Sequence, residues 1–227
     1  MEICTVAASG GENNKILTPE AREKCALALG NFDGVHIAHT ALLEETVRVS
    51  RELGCIPAVF TFSRHSRAST EGKSPALITV GDEKLELFES CGIKRVYIAD
   101  FDALSSYSPK RFVDEVLKNA LSCAYAVCGF NFRFGHLGAG TCDDLKRLMD
   151  GCVTIIPPVL RKGVPVSSTL VREAVEKGDM ELARELLGRP FFIYFPVVHG
   201  KEFGRTIDVP TINQNFPPLH LVPAFGV

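Results

Sequence analysis

The sequence predicts an α/β protein built on a parallel sheet with covering helices, followed by a shorter all-β stretch. Three observations carry this. Short apolar runs alternate with longer segments of helical period between residues 25 and 187, the pattern that strands and crossover helices of a parallel sheet leave in a sequence. A Gly-bounded turn, Gly30 to Gly34, joins the first clear apolar run to the first clear helix. From Arg189 onward the texture changes to aromatic and β-branched runs broken by Gly and Pro, as in FFIYFPVVHG and VPTINQNFPPL. These place a domain boundary near Gly188, giving units 1–187 and 188–227. The 40-residue second unit is too short for an independent β domain without staples.

The elements follow in order. Ala26 to Leu29 reads as a buried strand, and His36 to Leu53 as a helix with Ala38, Leu42, Val49 and Leu53 on one apolar stripe. Ile56 to Phe62 is the next strand, then a helix over Asp82 to Cys91 and a strand over Arg95 to Ile98. A helix from Pro109 to Leu121 starts on a proline, which suits the first turn because its missing N–H would be unpaired there. A strand over Ala124 to Cys128, a Gly-rich loop, a helix near Thr141 to Met149 and a strand near Val153 to Ile156 complete the series. Helices Ser168 to Lys177 and Met180 to Leu187 follow, with Gly178-Asp179 as their turn.

Bulk properties exclude several classes. With 227 residues, 46% hydrophobic and 23% charged, the chain has apolar material for a sizeable core. Its 25 Lys and Arg balance 27 Asp and Glu, so the net charge of -2 offers no general attraction for nucleic acid or an anionic membrane. The opening residues lack a basic segment before an apolar run, and no stretch approaches the roughly 18 uncharged apolar residues of a spanning helix. A cytoplasmic location is expected. The eight cysteines are scattered without a C-x-x-C pair and read as reduced, packed thiols.

Two clusters carry chemistry. In Gly30-Asn31-Phe32-Asp33-Gly34-Val35-His36-Ile37-Ala38-His39 the glycines allow close backbone approach, and the following helix offers free N–H groups and its positive dipole end. His36 and His39, three apart, share a face from which two imidazoles can donate to phosphate. The same pair is compatible with a metal, though no third ligand accompanies it at zincin spacing. Val166-Ser167-Ser168-Thr169-Leu170-Val171-Arg172 opens another helix, where hydroxyls cap and Arg172 can fork onto phosphate. Taken alone, those residues fit a plainly capped helix with a solvated Arg better, since capping serines are common.

Together the clusters resemble the HxGH and ISSTxxR motifs of the nucleotidyltransferase superfamily. ALGNFDGVHIAHTALL and CGFNFRFGHLGAGTCDDL resemble, more closely, blocks of the bacterial bifunctional riboflavin kinase/FMN adenylyltransferases, the FAD synthetases. The resemblance implies a Rossmann-like nucleotidyltransferase domain and Mg²⁺-dependent transfer of AMP from ATP to FMN, giving FAD. It assigns ATP binding to Gly30, Phe32, Asp33, Gly34, His36, His39, Ser167, Ser168, Thr169 and Arg172, with His36, His39 and Arg172 catalytic. Asn131, Phe62 and His65 fall to the flavin, the last two from a match to T-F-x-P-H-P. For Phe130, Phe132 and Phe134 simple packing is the competing reading. The departures are Ala38 for the Gly of HxGH, and Arg64 and Ser66 for two prolines.

Val198 to Arg205 and Pro210-Thr211-Ile212-Asn213 resemble the opening of the riboflavin kinase β-barrel, in which Thr211 and Asn213 would serve Mg²⁺ and ATP, with Asp208 in place of a Gly. The implied module is incomplete, so riboflavin kinase activity is expected to be absent, and the stretch is expected to be mobile, packed loosely on the first unit, or prone to self-association. Partners are then small molecules: ATP, FMN and, formally, riboflavin. A nucleotidyltransferase with another acceptor and a weakly catalytic flavin- or nucleotide-binding protein are the alternatives.

Overall fold

All five residues of Cys25–Leu29 are buried, which is why this segment is written as an unbroken apolar run rather than an alternating one. The computed structural model describes residues 1–8, 16–17, 23–63, 75–193, 195, 197–200, 208, 212–215 and 219–224. The elements are β1 (Glu2–Ala8), β2 (Ile16–Leu17), β3 (Cys25–Leu29), α1 (Ile37–Leu53), β4 (Ile56–Phe62), α2 (Asp82–Ser90), β5 (Arg95–Ala99) and α3 (Phe101–Leu104). Helix α4 starts as Pro109–Arg111 and continues as a π-helix over Phe112–Ala120. Then come β6 (Cys123–Gly129), a 3₁₀ turn (His136–Gly138), α5 (Cys142–Leu148), β7 (Val153–Ile156), β8 (Leu160–Arg161), β9 (Val164–Pro165), α6 (Ser168–Glu176), α7 (Met180–Leu187), β10 (Val197–Val198) and β11 (Asn213–Gln214).

Six strands form a parallel sheet in the order β1-β5-β4-β3-β6-β7, and β2 adds antiparallel to β1 at one edge. This is the α/β architecture expected. Alternate side chains of β3 feed two different cores, as strand geometry requires. Leu27 and Leu29 pack with Val113, Val116 and Leu117 of α4 and Leu145 of α5. Ala28 packs on the other face with Leu42 and Leu43 of α1 and with Phe88 and Ile93. A third cluster joins Val171, Ala174, Leu186 and Leu187 of α6 and α7 to Ile78 and Leu221, with Ile37 and Ala38 against it.

Local chemistry sets the helix ends. The Nδ1 of His36 accepts the His39 N–H at the start of α1, and Gly54 closes that helix in the left-handed region. Thr141 and Asp144 make a reciprocal capping box on α5, and Ser167 caps α6.

Three features differ from the expectation. Strand β1 lies outside the sequence expectation: Cys4 and Val6 are buried while Ile3, its largest apolar residue, is 52% exposed, so the strand carries no long inward apolar run. The helix after Pro109 is largely π, with the Leu121 N–H bonded to the Val116 carbonyl. Its buried Phe112, Val116, Leu117 and Leu121 are spaced by four or five, which the wider turn keeps on one face. Beyond α7, β10 and β11 pair antiparallel, but Leu219–Leu221 is docked on the first unit: the Leu77 N–H donates to the Leu219 carbonyl at 2.6 Å and the Leu221 N–H to the Leu77 carbonyl at 2.8 Å. Burial of Leu221 in the third cluster drives this seating.

Candidate active site

From β3 the chain crosses through α1 to β4 on one side and later returns to β6 on the other, so the carboxyl ends of β3 and β6 border a crevice where strand order reverses. That crevice is a cleft of about 910 Å³. Gly30, His36 and His39 line it from the β3–α1 side, Gly129 to Gly135 from the β6 side, and Ser167, Ser168, Thr169 and Arg172 from the α6 side.

The β3–α1 turn is conformationally costly. Phe32 and Val35 take φ of 51° and 37°, a region that L side chains seldom occupy, beside Gly34 at 82°. Packing compensates for it. Phe32 is fully buried edge-on against Phe88, and a Cβ on Gly34 would lie only 3.0 Å from Ile78. The side chains of Phe32 and Asp33 therefore frame the turn and do not line the cleft.

His36 and His39 stack with ring centroids 3.6 Å apart and planes 9° from parallel. Because His36 Nδ1 accepts the His39 N–H at 3.3 Å, its neutral form carries the proton on Nε2, the other ring nitrogen. Burial pulls His36 down to about 4, aided by the Arg189 and Arg172 charges. His39 lies well below the usual imidazole range, first through burial and then through His36 and Lys84. Near pH 7 each ring is thus neutral with one N–H to donate, and an arriving anion would favour its protonation. Buried His39 Nδ1 has no hydrogen-bond partner among the described residues.

At the α6 side, Ser167 Oγ accepts the Leu170 N–H at 3.3 Å, and Ser168 Oγ donates to the Asp33 carbonyl at 2.9 Å. Arg172 donates from Nη2 to Asp33 Oδ2 at 2.5 Å and from Nε to the Ala76 carbonyl at 2.7 Å. Asp33 Oδ1 accepts the N–H groups of Ile78 at 2.9 Å and Thr79 at 3.3 Å. Arg172 thus reaches the cleft wall already paired, and Asp33 ties the two helix N-termini to the 76–79 segment.

The β6 loop presents Phe130, 50% exposed, and the exposed Asn131. Phe134 is packed as a core residue between Phe112 and Phe132, and Phe62 of β4 sits edge-on to both Phe60 and Phe101. This gives one wall of the cleft an aromatic lining suited to a flat ring system. Cys142 Sγ lies beneath the loop, 3.3 Å from the Gly129 carbonyl and 3.4 Å from that of Phe130. His65 and Thr211 lie outside the described residues, as do Arg64 and Ser66; Asn213 is exposed on β11. Among the described residues, no three of His, Cys, Asp or Glu gather as a metal site.

Two residues escaped the sequence reading. Lys84 donates from Nζ to the Asn31 carbonyl at 2.5 Å and to Thr61 Oγ1 at 3.0 Å, and burial lowers it to about 8. Its signal was a lysine four residues before Phe88, on the helix face that turned out to point inward. Arg189 lies under the β3–α1 turn and had no signal beyond its place after a helix-ending glycine.

The profile of the FAD synthetase family matches residues 18–170, and that of riboflavin kinase matches residues 187–227. The bifunctional riboflavin kinase/FMN adenylyltransferase of Bacillus subtilis (strain 168) is 36% identical over 216 residues, which is 93% of this chain and 68% of that protein. The proteins of the same name from Listeria monocytogenes and Escherichia coli (strain K12) are each 35% identical, covering 88% and 87% of this chain and 65% and 64% of their own lengths. The chain spans about two thirds of the length of these curated relatives. A crystal structure named as a macrolide-efflux protein from Streptococcus pneumoniae superposes with a TM-score of 0.86 at 30% identity, covering all of this chain and 73% of that one. No helix among the described residues is long and apolar enough to cross a membrane. The sheet order, the paired helix N-termini and these matches agree: the chain belongs to the FAD synthetase family.

Proposed function

We propose that this chain is an FMN adenylyltransferase that moves AMP from ATP to FMN. A phosphate oxygen of FMN attacks the α-phosphorus of ATP, the bond from that phosphorus to the bridging oxygen breaks, and pyrophosphate departs with the electron pair. The products are FAD and pyrophosphate. The observation that carries this reading is the convergence of the α1 and α6 N-termini, tied through Asp33, on one cleft at the sheet's switch point.

FMN's phosphate is already anionic at neutral pH, so the attacking group needs no strong base. The chain's task is alignment and neutralisation of growing charge. His36 and His39 would donate to the ATP phosphates from Nε2–H and the available ring N–H, beside the N–H groups that open α1. Arg172, Ser167, Ser168 and Thr169 would hold the departing end. The aromatic wall with Phe62 would take the isoalloxazine, and Asn131 would fix its orientation from the β6 loop. Mg²⁺ enters as part of the substrate, carried on the phosphates of ATP. A reaction that uses ATP, in a chain whose eight cysteines are free, fits the cytoplasm.

The riboflavin kinase match coincides with the stretch holding Asn213 and Thr211. We assign no phosphorylation of riboflavin to residues 1–227 by themselves. One experiment covers both statements: the purified chain is incubated with Mg·ATP and either FMN or riboflavin, and flavins are separated by chromatography. FAD from FMN with no FMN from riboflavin is expected. Bound FMN without FAD after long incubation would favour a flavin-binding protein, and FMN from riboflavin would contradict the second assignment.

A further inference from the structure

Arg189 is the second residue after α7 and belongs to the riboflavin kinase match, yet both Nη atoms of its guanidinium reach the β3–α1 turn. Nη2 donates to the Gly34 carbonyl at 2.9 Å, and Nη1 donates to those of Val35 at 3.1 Å and Leu187 at 3.4 Å. Gly34 and Val35 are the two residues before His36, in the turn that holds Phe32 and Val35 at positive φ. The peptide linking Val35 to His36 is trans, since the described chain has no cis bond. A trans peptide points its C=O and N–H in opposite directions, so anchoring the Val35 oxygen on Arg189 turns the His36 N–H away from it. It also keeps two carbonyl oxygens bonded to a cation instead of free to swing toward a phosphate.

A second contact seats the same segment. A Cβ on Gly188, which has φ of 71°, would lie 2.9 Å from Ile37 Cγ2, so the chain passes directly against the first residue of α1. On the other side of the constellation, Leu77 bonds Leu219 and Leu221, and the next two amides, of Ile78 and Thr79, are those that hold Asp33. The C-terminal stretch therefore touches both ends of the phosphate constellation.

Resting on the adenylyl-transfer reading, we propose that Arg189 is a positioning residue for ATP, through which the riboflavin kinase stretch holds the phosphate-binding turn of the adenylyltransferase in its working shape. It touches neither substrate. Its influence passes through the Gly34 and Val35 carbonyls to the backbone and ring of His36. Its charge also opposes protonation of His36, together with that of Arg172, while Glu83 is the acidic group whose charge acts on Arg189 itself.

The test compares the parent chain with Arg189→Ala and Arg189→Lys by Mg·ATP binding, by FAD formation and by melting temperature. Arg189→Ala should weaken Mg·ATP binding and raise KM for ATP by roughly 10-fold or more, the scale of misplacing a binding group, with KM for FMN near that of the parent. Arg189→Lys should recover part of the loss, and ethylguanidinium added to Arg189→Ala should recover part as well. A lowered melting temperature with Mg·ATP affinity unchanged in the folded protein would overturn the proposal. So would equal rises in both KM values with no rescue. If Arg189→Ala does not fold, Arg189→Lys carries the same test, and parent-like Mg·ATP binding by it would overturn the proposal. A parent chain that binds Mg·ATP but forms no FAD would count against adenylyl transfer alone, because the binding comparison still reads the clamp.

Discussion

The carboxylate of Asp33 and the guanidinium of Arg172 meet at 2.5 Å with only 4% and 11% of their side chains exposed. One residue comes from the turn before α1 and the other from the first turns of α6. Their pairing fixes the distance between the two helix N-termini that face the cleft. Asp33→Asn would keep an oxygen for the Ile78 and Thr79 amides but leave Arg172 buried without a counter-charge. It is expected to cost about 3 kcal/mol in urea unfolding, the scale of breaking a buried pair, and about 100-fold in FAD synthesis through loss of alignment. An unchanged unfolding midpoint and rate would show that the bridge holds nothing in place.

His39 and Arg172 should act on charge that grows during the reaction. His39→Ala and Arg172→Ala are each expected to lower kcat by about 100-fold or more, as the loss of one preorganised stabiliser does. Circular dichroism would confirm folding in each variant. Rates close to the parent in a folded protein would reduce both residues to structural roles.

Ala38 lines the cleft and also packs against the α6–α7 cluster. Ala38→Gly should therefore lose up to about 1 kcal/mol of helix stability while lowering KM for ATP, since bare backbone admits closer approach of phosphate. If thermal stability falls and KM for ATP stays where it was, the methyl serves only the cluster.

Glu83 is buried, and that burial pushes its carboxyl up to about 7, against the pull of Arg189. The folded protein thus keeps a proton between pH 4.5 and about 7 that the unfolded chain has released. Stability from this group is present below that window and is lost as pH rises through it. Glu83→Gln removes the penalty of the buried charge, so its gain over the parent should be larger at pH 8 than at pH 5, by about 1–3 kcal/mol. A gain that does not vary with pH would mean that the carboxyl is solvated.

The sequence showed the sheet and its helices where apolar runs were long and unbroken: Ile56–Phe62 and Val153–Ile156 match residue for residue. It hid β1, whose inward positions are occupied by Cys4 and Val6, and it could not show that Phe112 to Ala120 winds as a π-helix. The two phosphate clusters were visible because capping hydroxyls, glycines and histidines sit together in the chain. What joins them was not visible. Asp33 reaches Arg172 across 139 positions, Lys84 reaches the Asn31 carbonyl across 53, and Arg189 reaches the Gly34 carbonyl across 155. Such bonds depend on which strand ends the topology brings together, and no local pattern records them.

In the proposed reaction the cleft aligns the α-phosphorus of ATP with the phosphate of FMN and releases the distal end. Label transfer tests it most directly. The chain is given FMN and Mg·ATP labelled either at the α- or at the γ-phosphate, and flavin and pyrophosphate are separated after turnover. α-Label is expected in FAD and γ-label in pyrophosphate, with one pyrophosphate per FAD. Label from the γ-position in a flavin, or α-label that stays with the nucleotide while FMN remains bound, would contradict it.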